Sequence, residues 1–570
     1  MVENETGDVK TQPVGSGPII GHFFERAGIC EIIDKNVALD PRRKKLTHGE
    51  ACIAMTTGIL SQIFPLYRIR KLAENSTILE SVLPGIEPKE YFDDKLADTL
   101  DAIYDYGLGN LEMQITKRMI EEFEIHSDVC HNDTTSASVF GNCDNRRTDD
   151  GLKITFGYSK KHRQDLKQLV WSLSVSDDHA FPLFQQAYDG NTADVDTYVE
   201  QWNNLIELLG RKDFLYVCDS KLVTFENMAC INDDEGFFPA PTPMYETYKN
   251  TFADAIDDHD SEILIEYKNR FNRGFETPIR TTWHDKEYEF RMIILFDHGL
   301  FNIRKKSLEN RKAGTESAFE KLIGKLNKYN LKTKEGIDRA CNSILKRHNS
   351  AAMFGYEILN EPETIWKNVK KGRPRKNETP KKKAVQTDRY KVKLAFDRDA
   401  YEKELSQCGY YPLITNKPES QLSIEDAMTA HKNQYKVEHT NRRAKSGFRL
   451  EPLYLHTPER IEAFLFLFKI ALQILVMIER TARINIKKRN KGLDDFMPNR
   501  KDVRNPTAES LLGEFQYIIK GEIPLPNGNF SGFVSRLTDV QKEILEILEV
   551  PEARFSYSYL FMHSQVYRDP

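Results

Sequence analysis

The chain has 570 residues, too many for one compact hydrophobic core, so we expect three or more structural units. Hydrophobic residues make up 40% and charged residues 29% of the chain, as in ordinary globular proteins. The net charge of −5 excludes a uniformly basic coat for nucleic acids, although local basic patches can still bind them. The eight cysteines have no CxxC or paired His/Cys spacing, which indicates reduced thiols and no structural zinc site.

The amino-terminal part is predicted to be a short tail followed by helices. Residues 1–17 are polar and lack the apolar run of a signal peptide, so we expect a flexible tail. Residues 18–126 place apolar side chains at three- and four-residue spacing, which predicts a helical N-terminal domain. Thr47, with Glu50 three residues later, has the spacing of a capping box at the start of one of these helices.

From residue 127 the pattern changes to strands. We predict a strand in 127–141, a second in 151–160, and a third with its extension in 166–190. An amphipathic helix follows in 194–210, and then the apolar run 213–220, typical of a strand buried on both faces. Three strands, a helix and a strand that ends in an acidic residue are the core order of an RNase H-like fold. The predicted class is therefore α/β (α+β multidomain).

Residues 241–410 interrupt this pattern and predict a large insertion domain. Within it, the stretch 367–383 holds nine Lys and Arg residues against one acidic residue. Gly, Pro and Asn are also frequent there, so we expect a mobile basic loop. Its centre, KGRPRK, contains the candidate DNA contacts Lys371, Arg373, Arg375 and Lys376.

Helical periodicity returns after the insertion. One long helix is predicted to begin at Ser423 and to end at Gly447. A second is predicted to begin with Thr457 as N-cap and Pro458 in the first turn. This second helix contains the apolar run 463–478, which is short for a membrane span and includes a lysine and a glutamine. We therefore expect a helix buried in a protein core.

Two predicted buried strands each carry an acidic residue, Asp133 in HNDTTSAS and Asp219 at the end of FLYVCDS. Either residue alone also fits a cap or a turn. An ionised carboxylate in an apolar strand is unfavourable unless it is paired or bound to metal. Two carboxylates on neighbouring strands repel each other, and divalent cations such as Mg²⁺ or Mn²⁺ relieve that repulsion. The pair therefore predicts a metal site.

A two-metal centre for phosphoryl displacement needs a third acidic ligand. Glu438 lies four residues before Arg442 and seven before Lys445, so the three side chains share one face of the predicted helix. A carboxylate beside two cations suits a phosphate backbone. A solvent-exposed helix with internal salt bridges is the alternative explanation.

Four sequence blocks carry a resemblance to a known family: HNDTTSASVFG, FGYSKKHRQDLKQLVWSLSVSDDHAFPLFQQAYDGNTADVDTY, FLYVCDSKLVTFEN and YKVEHTNRRAKSGFRLEPLYLHTPERIEAF. Together with the THGEA segment near the start they extend over about residues 18–483. The chain resembles bacterial and archaeal insertion-sequence transposases of the DDE class, in the branch with a large insertion before the final glutamate. The resemblance implies that Asp133, Asp219 and Glu438 are the catalytic triad and hold two Mg²⁺ or Mn²⁺ ions.

The family also has a helical Y–R–E–K signature. Lys445 matches its lysine, whereas His431 and Gln434 occupy the tyrosine and arginine positions. The resemblance further implies that Arg442, Arg443 and Lys445 bind phosphates near the scissile bond, and that the loop 367–383 adds DNA contacts. The loop centre is similar to Arg-Gly-Pro motifs that lie in narrow A·T minor grooves.

By the same resemblance, cleavage at the end of the element frees a 3′-OH, which then attacks target DNA. The expected partners are double-stranded DNA, as transposon ends and target, and a second copy of the chain in a homodimeric synaptic complex, with no membrane. The expected location is the cytoplasm of a prokaryote, in association with the nucleoid. The N-terminal domain would serve either as a scaffold or in recognition of DNA ends. An RNase H-like nuclease and a non-catalytic DNA-binding protein recruited by a host are the two alternatives.

The predicted domain organisation combines an RNase H-like catalytic core with the helical domain and the insertion. Its boundaries are 1–17 for the tail, 18–126 for the helical domain, 127–240 and 411–483 for the two parts of the core, 241–410 for the insertion, and 484–570 for a C-terminal region.

Overall fold

The computed structural model describes residues 9–41, 45–63, 65–141, 143, 151–158, 163–268, 270–369, 381–447, 450, 453, 455–498, 500–525 and 530–560. The chain forms two compact units. The described residues within 1–243, 280–290 and 414–570 make up the first, and those within 244–279 and 291–413 make up the second.

The amino-terminal segment is helical, as predicted. It consists of strand β1 (Lys10–Pro13) and helices α1 (Gly17–Ala27), α2 (Ile29–Asn36), α3 (His48–Leu60), α4 (Leu66–Asn75), α5 (Ile78–Val82), α6 (Asp93–Tyr106) and α7 (Leu108–Glu122). The capping box at α3 is confirmed, because Thr47 accepts a hydrogen bond from the Glu50 N–H and Glu50 accepts one from the Thr47 N–H at 2.7 Å. The flexible tail is wrong in its described part, since β1 pairs antiparallel with residues 519–522.

The next segment builds a four-stranded sheet. Its elements are β2 (Val129–Val139), β3 (Lys167–Ser176), β4 (Pro182–Tyr188), α8 (Tyr198–Leu209), β5 (Leu215–Val217), α9 (Phe225–Asp233) and β6 (Pro239–Pro241). The strand order is β4-β3-β2-β5; β2, β3 and β4 are antiparallel neighbours and β5 runs parallel to β2. This order, with α8 between β4 and β5, confirms the RNase H-like core and the mixed α/β class.

One predicted strand is wrong. In the described part of 151–160, Thr155 forms only an isolated bridge to Gln168. The second and third strands of the sheet both come from the single segment 166–190, as β3 and β4. The turn between them places His179 and Ala180 at φ of 56° and 59°. Neither is Gly or Asn, the usual residue for a positive φ, although Asp177 and Asp178 directly before them are of a type common in turns.

The middle of the chain alternates helices and strands. Its elements are α10 (Glu246–Asp258), β7 (Ile263–Tyr267), β8 (Arg270–Trp283), β9 (Lys286–Phe296), α11 (His298–Ile323), α12 (Lys334–His348), β10 (Phe354–Asn360), β11 (Glu363–Asn368), β12 (Lys382–Thr387), β13 (Tyr390–Phe396), α13 (Arg398–Gln407) and β14 (Tyr410–Thr415). Strands β14, β9, β8 and β7 are successive neighbours in a sheet. In the second unit, buried residues of α11 and α12, such as Phe319 and Ile337, pack with Phe354 and Val392 of the antiparallel pair β10–β13.

The last part of the chain contains α14 (Ile424–Lys432), α15 (Tyr435–Arg442), a π-helical turn (Arg443–Gly447), α16 (Pro458–Arg489), α17 (Ala508–Gly513), β15 (Ile519–Pro524), β16 (Phe530–Val534) and α18 (Asp539–Ile547). Ser423 caps α14 and the helical stretch ends at Gly447, as predicted. The prediction of one continuous helix between them is wrong, because the chain breaks at Asn433 and Gln434, whose side chains bond to other segments.

Helix α16 is the central element of the first unit. Among the described residues it is the one helix long and apolar enough to span a membrane, and 94% of its apolar window is buried inside the protein. It packs against α3, α6, α7, α17, α18 and β4. The predicted core helix is confirmed, and the basic stretch after residue 479 continues it to Arg489.

A buried polar network joins α16 to α7 and the sheet. The Lys469 ammonium lies 3.2 Å from Glu112 Oε1, and both side chains are 1% exposed. Lys469 also donates to Thr116, and Glu112 Oε1 accepts from the Gln185 N–H of β4 at 2.7 Å. Burial raises the pKa of Glu112 and lowers that of Lys469, so the interior disfavours each charge unless the other is present.

The contribution of the Lys469–Glu112 pair to stability can be tested by substitution. Lys469→Met leaves Glu112 buried without its cation, and breaking one partner of a buried pair costs about 3–5 kcal/mol. Glu112→Gln together with Lys469→Met removes both charges and keeps an acceptor for the Gln185 N–H, so the double variant should regain most of the loss. The measurement is the midpoint of thermal unfolding.

The matched control is Lys491→Met, because this lysine is 62% exposed and lies 3.7 Å from Glu543 and 3.9 Å from Asp494. A surface pair contributes about 0–1 kcal/mol, so the midpoint should scarcely move. A double variant no more stable than Lys469→Met alone would contradict the assignment of the pair.

Candidate active site

The two strand aspartates lie level with each other in the sheet. Strands β2 and β5 are parallel, with His131 opposite Val217 as the last pair of the ladder. Asp133 is two residues beyond His131 and Asp219 is two residues beyond Val217, so both carboxylates leave the sheet at the same level. Both residues are half-buried. The structure therefore brings together the first two residues that the sequence predicted for the site.

Asp219 is oriented by its neighbours. It caps the short 3₁₀ turn that begins at Ser220, and its Oδ1 accepts from the Lys221 N–H at 2.9 Å and from the Tyr198 hydroxyl at 2.5 Å. Burial, followed by the charge of Asp219, raises the pKa of Tyr198 far above its ordinary value, so this phenol remains a donor. Both hydrogen bonds that Asp219 accepts from described residues end on Oδ1, which fixes the carboxylate plane.

The pKa of Lys221 reflects the charges around it. Its ammonium forms an ion pair with Asp194. Burial lowers the pKa of Lys221, but its hydrogen bond to Asp194 and the charges of Asp194, Asp219 and Asp133 together raise it above the ordinary value. Negative charge is therefore concentrated where the two strands end, which is an environment that attracts cations.

Asp133 is held from the other side by α15. Its Oδ2 accepts a hydrogen bond from Asn441 Nδ2 at 3.0 Å, and Asn441 is 5% exposed. Glu438 precedes Asn441 by one helical turn on the same side of α15, and it is exposed. Lys445, in the π-helical turn, donates to the carbonyl oxygen of Ser136 on β2. Sequence analysis missed Asn441 and Tyr198, although the spacing of Asn441 from Glu438 would have placed it on the face that carries the site.

A second network fixes the start of α15. His131 is fully buried; its Nε2 lies 3.0 Å from Asp177 Oδ1 and its Nδ1 lies 3.0 Å from Gln434 Oε1. Gln434 Nε2 donates to the carbonyl oxygen of Asn132 at 2.8 Å. Burial raises the pKa of Asp177, but its hydrogen bonds to His131 and Lys436 lower it to about 2. Gln434, at the arginine position of the family signature, thus holds α15 against β2 beside Asp133.

Comparison with known proteins adds two matches. A Domain of unknown function (DUF4277) matches residues 9–117, and a Transposase DDE domain matches residues 285–474. The second match includes α15 with Glu438, whereas Asp133 and Asp219 precede it. The chain therefore contains a DDE transposase domain, and the two matches support a DDE-type insertion-sequence transposase. No curated protein matches this transposase.

The two aspartates of the transposase fit a hard divalent cation, because carboxylate oxygens are its preferred ligands. Within the part of the chain that the structure describes, no three His, Cys, Asp or Glu side chains converge as metal ligands. Asp133 and Asp219 are two of the three ligands that the sequence predicted. The exposed carboxylate of Glu438, one turn from the residue that bonds Asp133, is not gathered with them.

The predicted phosphate contacts are in different surroundings. Arg442 is exposed. Arg443 forms ion pairs with Glu509 at 2.7 Å and with Glu479 at 3.1 Å, so its guanidinium links the π-helical turn to α17 and α16. Lys445 bonds to β2. The loop residues Lys371, Arg373, Arg375 and Lys376 lie outside the described residues.

The role of the Tyr198 hydroxyl in orienting Asp219 can be tested by substitution. Tyr198→Phe removes the hydroxyl that orients Asp219 but keeps the ring, so DNA cleavage should fall about tenfold or more, since a hydrogen bond to a charged group contributes about 1.5–3 kcal/mol. The measurement is the turnover rate with the substrate DNA in excess.

Tyr216→Phe is the matched control, because the hydroxyl of Tyr216 is also buried but donates to the backbone oxygen of Tyr198. This variant should cleave at close to the parental rate. Equal losses in the two variants would show that the hydroxyl of Tyr198 acts on the fold rather than on the carboxylate.

Proposed function

We propose that this transposase cuts DNA at the ends of its element and joins the freed 3′-OH to target DNA, with Asp133, Asp219 and Glu438 as the catalytic acids. The level placement of Asp133 and Asp219 on neighbouring parallel strands supports this most directly. Two Mg²⁺ or Mn²⁺ ions, when bound there, would supply the charge that activates the attacking oxygen and stabilises the leaving one.

The other residues of the site position these acids. Tyr198 orients Asp219, and Asn441 holds Asp133. The network at Gln434 keeps α15, the helix that carries Glu438, on β2. Fixed geometry of this kind lowers the barrier of an in-line displacement by avoiding reorganisation during the reaction.

DNA is the partner that the family implies. We propose that Arg442 and Lys445, and the loop 367–383 with its basic centre, contact phosphates of transposon ends and target DNA. Such contacts fix position and do not read sequence. Arg443 would serve this purpose only after exchanging its carboxylate partners for phosphate. A homodimer that holds two ends together, working at the nucleoid of a prokaryotic cell, completes the proposal.

The exposure of Glu438 favours one second candidate. A DNA-binding protein that has kept the fold but lost catalysis needs no convergence of three acids. This alternative and the proposed transposition chemistry differ in whether divalent metal supports cleavage.

The role of the two aspartates as metal ligands can be tested by substitution. Asp133→Ala and Asp219→Ala should each abolish cleavage and joining while end binding stays nearly intact, because each removes a ligand of the proposed ions. Mg²⁺ or Mn²⁺ should support activity, and Ca²⁺ should support binding better than chemistry. The measurements are cleavage and strand transfer of a labelled DNA end, and full activity in EDTA would disprove the metal assignment.

The role of Glu438 as the third acid can be tested in the same way. Glu438→Gln keeps the shape of the side chain and removes its charge, so strand transfer should fall by orders of magnitude while folding and end binding persist. The matched control is Glu425→Gln, because Glu425 is also exposed but lies in the first turn of α14, where the helix dipole explains it.

Two other glutamates are weaker candidates for the third ligand. Burial, followed by the charge of Glu459, raises the pKa of Glu462 to about 8, so this group is largely protonated at neutral pH and a poor metal ligand. Glu451 lies outside the described residues. Activity retained in Glu438→Gln but lost in Glu425→Gln would reverse the assignment.

A further inference from the structure

Strands β11 and β12 form an antiparallel ribbon of two strands. The register extends from Glu363 opposite Thr387 to Asn368 opposite Lys382. Every residue of the two strands is exposed or half-buried. A two-stranded ribbon without a packed face is at best marginally stable in water. The ribbon therefore gains little from burial within the protein, and its side chains are accessible to a partner.

The end of the ribbon concentrates positive charge. Lys367 lies directly opposite Lys383, although like charges in facing positions destabilise a strand pair. Lys382 faces Asn368. Within the described part of the chain, no ion pair involves any of these three lysines, whereas at the other end of the ribbon Glu363 pairs with Arg389 at 3.0 Å. A partner that carries negative charge would relieve this repulsion.

The cations lie on both faces of the ribbon. Because side chains alternate along a strand, Lys367 and Lys383 share one face and Lys382 is on the other, next to Trp366. Trp366 is 68% exposed, and only Ala384 lies opposite it. A large indole left in water beside a lysine and the amide of Asn368 suits a surface that offers both phosphates and stacked bases.

We propose that the β11–β12 ribbon is a DNA-binding arm that enters the major groove of duplex DNA. That groove admits a two-stranded ribbon, and its walls are two phosphate strands. Lysines on opposite faces of the ribbon match the two walls, and Trp366 adds apolar contact within the groove. The assignment rests on the proposed function, because the ligand is the DNA on which the chain acts. Lys367, Lys382 and Lys383 are at the two ends of the predicted loop 367–383, and the structure places them in strands instead.

The experiment compares two triple variants of the full chain. Lys367→Gln, Lys382→Gln and Lys383→Gln together neutralise the ribbon. Lys325→Gln, Lys328→Gln and Lys332→Gln remove the same charge from exposed lysines elsewhere in the second unit. Binding to a fluorescent duplex of about 30 base pairs is measured by anisotropy at several salt concentrations, in Ca²⁺ so that cleavage does not intervene.

The ribbon triple should bind about tenfold more weakly, with the slope of log affinity against log salt reduced by about 0.9 for each phosphate contact removed. The control triple should keep the parental slope. Trp366→Ala should weaken binding further without changing the slope, and Trp366→Phe should restore most of it. Equal thermal midpoints of all variants would show that the fold is intact.

Equal losses in the two triples, or an unchanged slope in the ribbon triple, would overturn the proposal. So would weaker binding of the ribbon triple to phosphatidylserine vesicles with duplex binding unaffected, since the partner would then be a lipid surface. If the ribbon triple binds DNA normally while Mg²⁺-dependent cleavage persists, the arm is wrong and the proposed function stands. If the ribbon binds DNA but the intact chain neither cuts nor joins it, the proposed function fails and the arm remains.

Discussion

The first unit depends on one constraint, which is that most of helix α16 is buried, so the polar side chains on its buried part need partners inside the protein. Three of them anchor it. Lys469 pairs with Glu112, Gln473 donates to the carbonyl oxygen of Pro182 at 2.9 Å, and Arg480 binds both carboxylate oxygens of Asp178. Each bond reaches α7, β4 or the turn after β3. The helix thus fixes the sheet through directed contacts as well as through apolar packing.

The contacts of α16 also connect to the candidate active site. Arg480 of α16 binds Asp178, and the neighbouring Asp177 binds His131 and Lys436. The same turn therefore contacts both α16 and α15. Burial raises the pKa of Asp178, but its hydrogen bonds to His179 and Arg480 keep it well below the ordinary value. A single short turn therefore couples the core helix to the strand that carries Asp133. Polar groups buried for stability and those that position the acids form one connected set.

The sequence was sufficient where local pattern decides structure. Alternation and chain order located β2, α8 and β5, and with them the level placement of Asp133 and Asp219. The sequence was insufficient where a contact with a residue far away in the chain determines the local structure. The helix breaks at Gln434, where the side chain donates to Asn132, 302 residues away, and the helical pattern gives no sign of that bond. The role of Asn441 likewise depends on Asp133, which is 308 residues distant in sequence.

These contacts also define how Glu438 can reach the strand aspartates. Helix α15 is held before Glu438 by Gln434 and after it by Asn441 and Lys445, all three of which bond to β2 or its side chains. Rotation of the helix would break these bonds together, so the approach depends on the side-chain torsions of Glu438 alone. A flexible carboxylate in water loses rotamer freedom when it is fixed. Unlike the two aspartates, which the sheet orients in advance, Glu438, the proposed third acid, would then be ordered by what binds there.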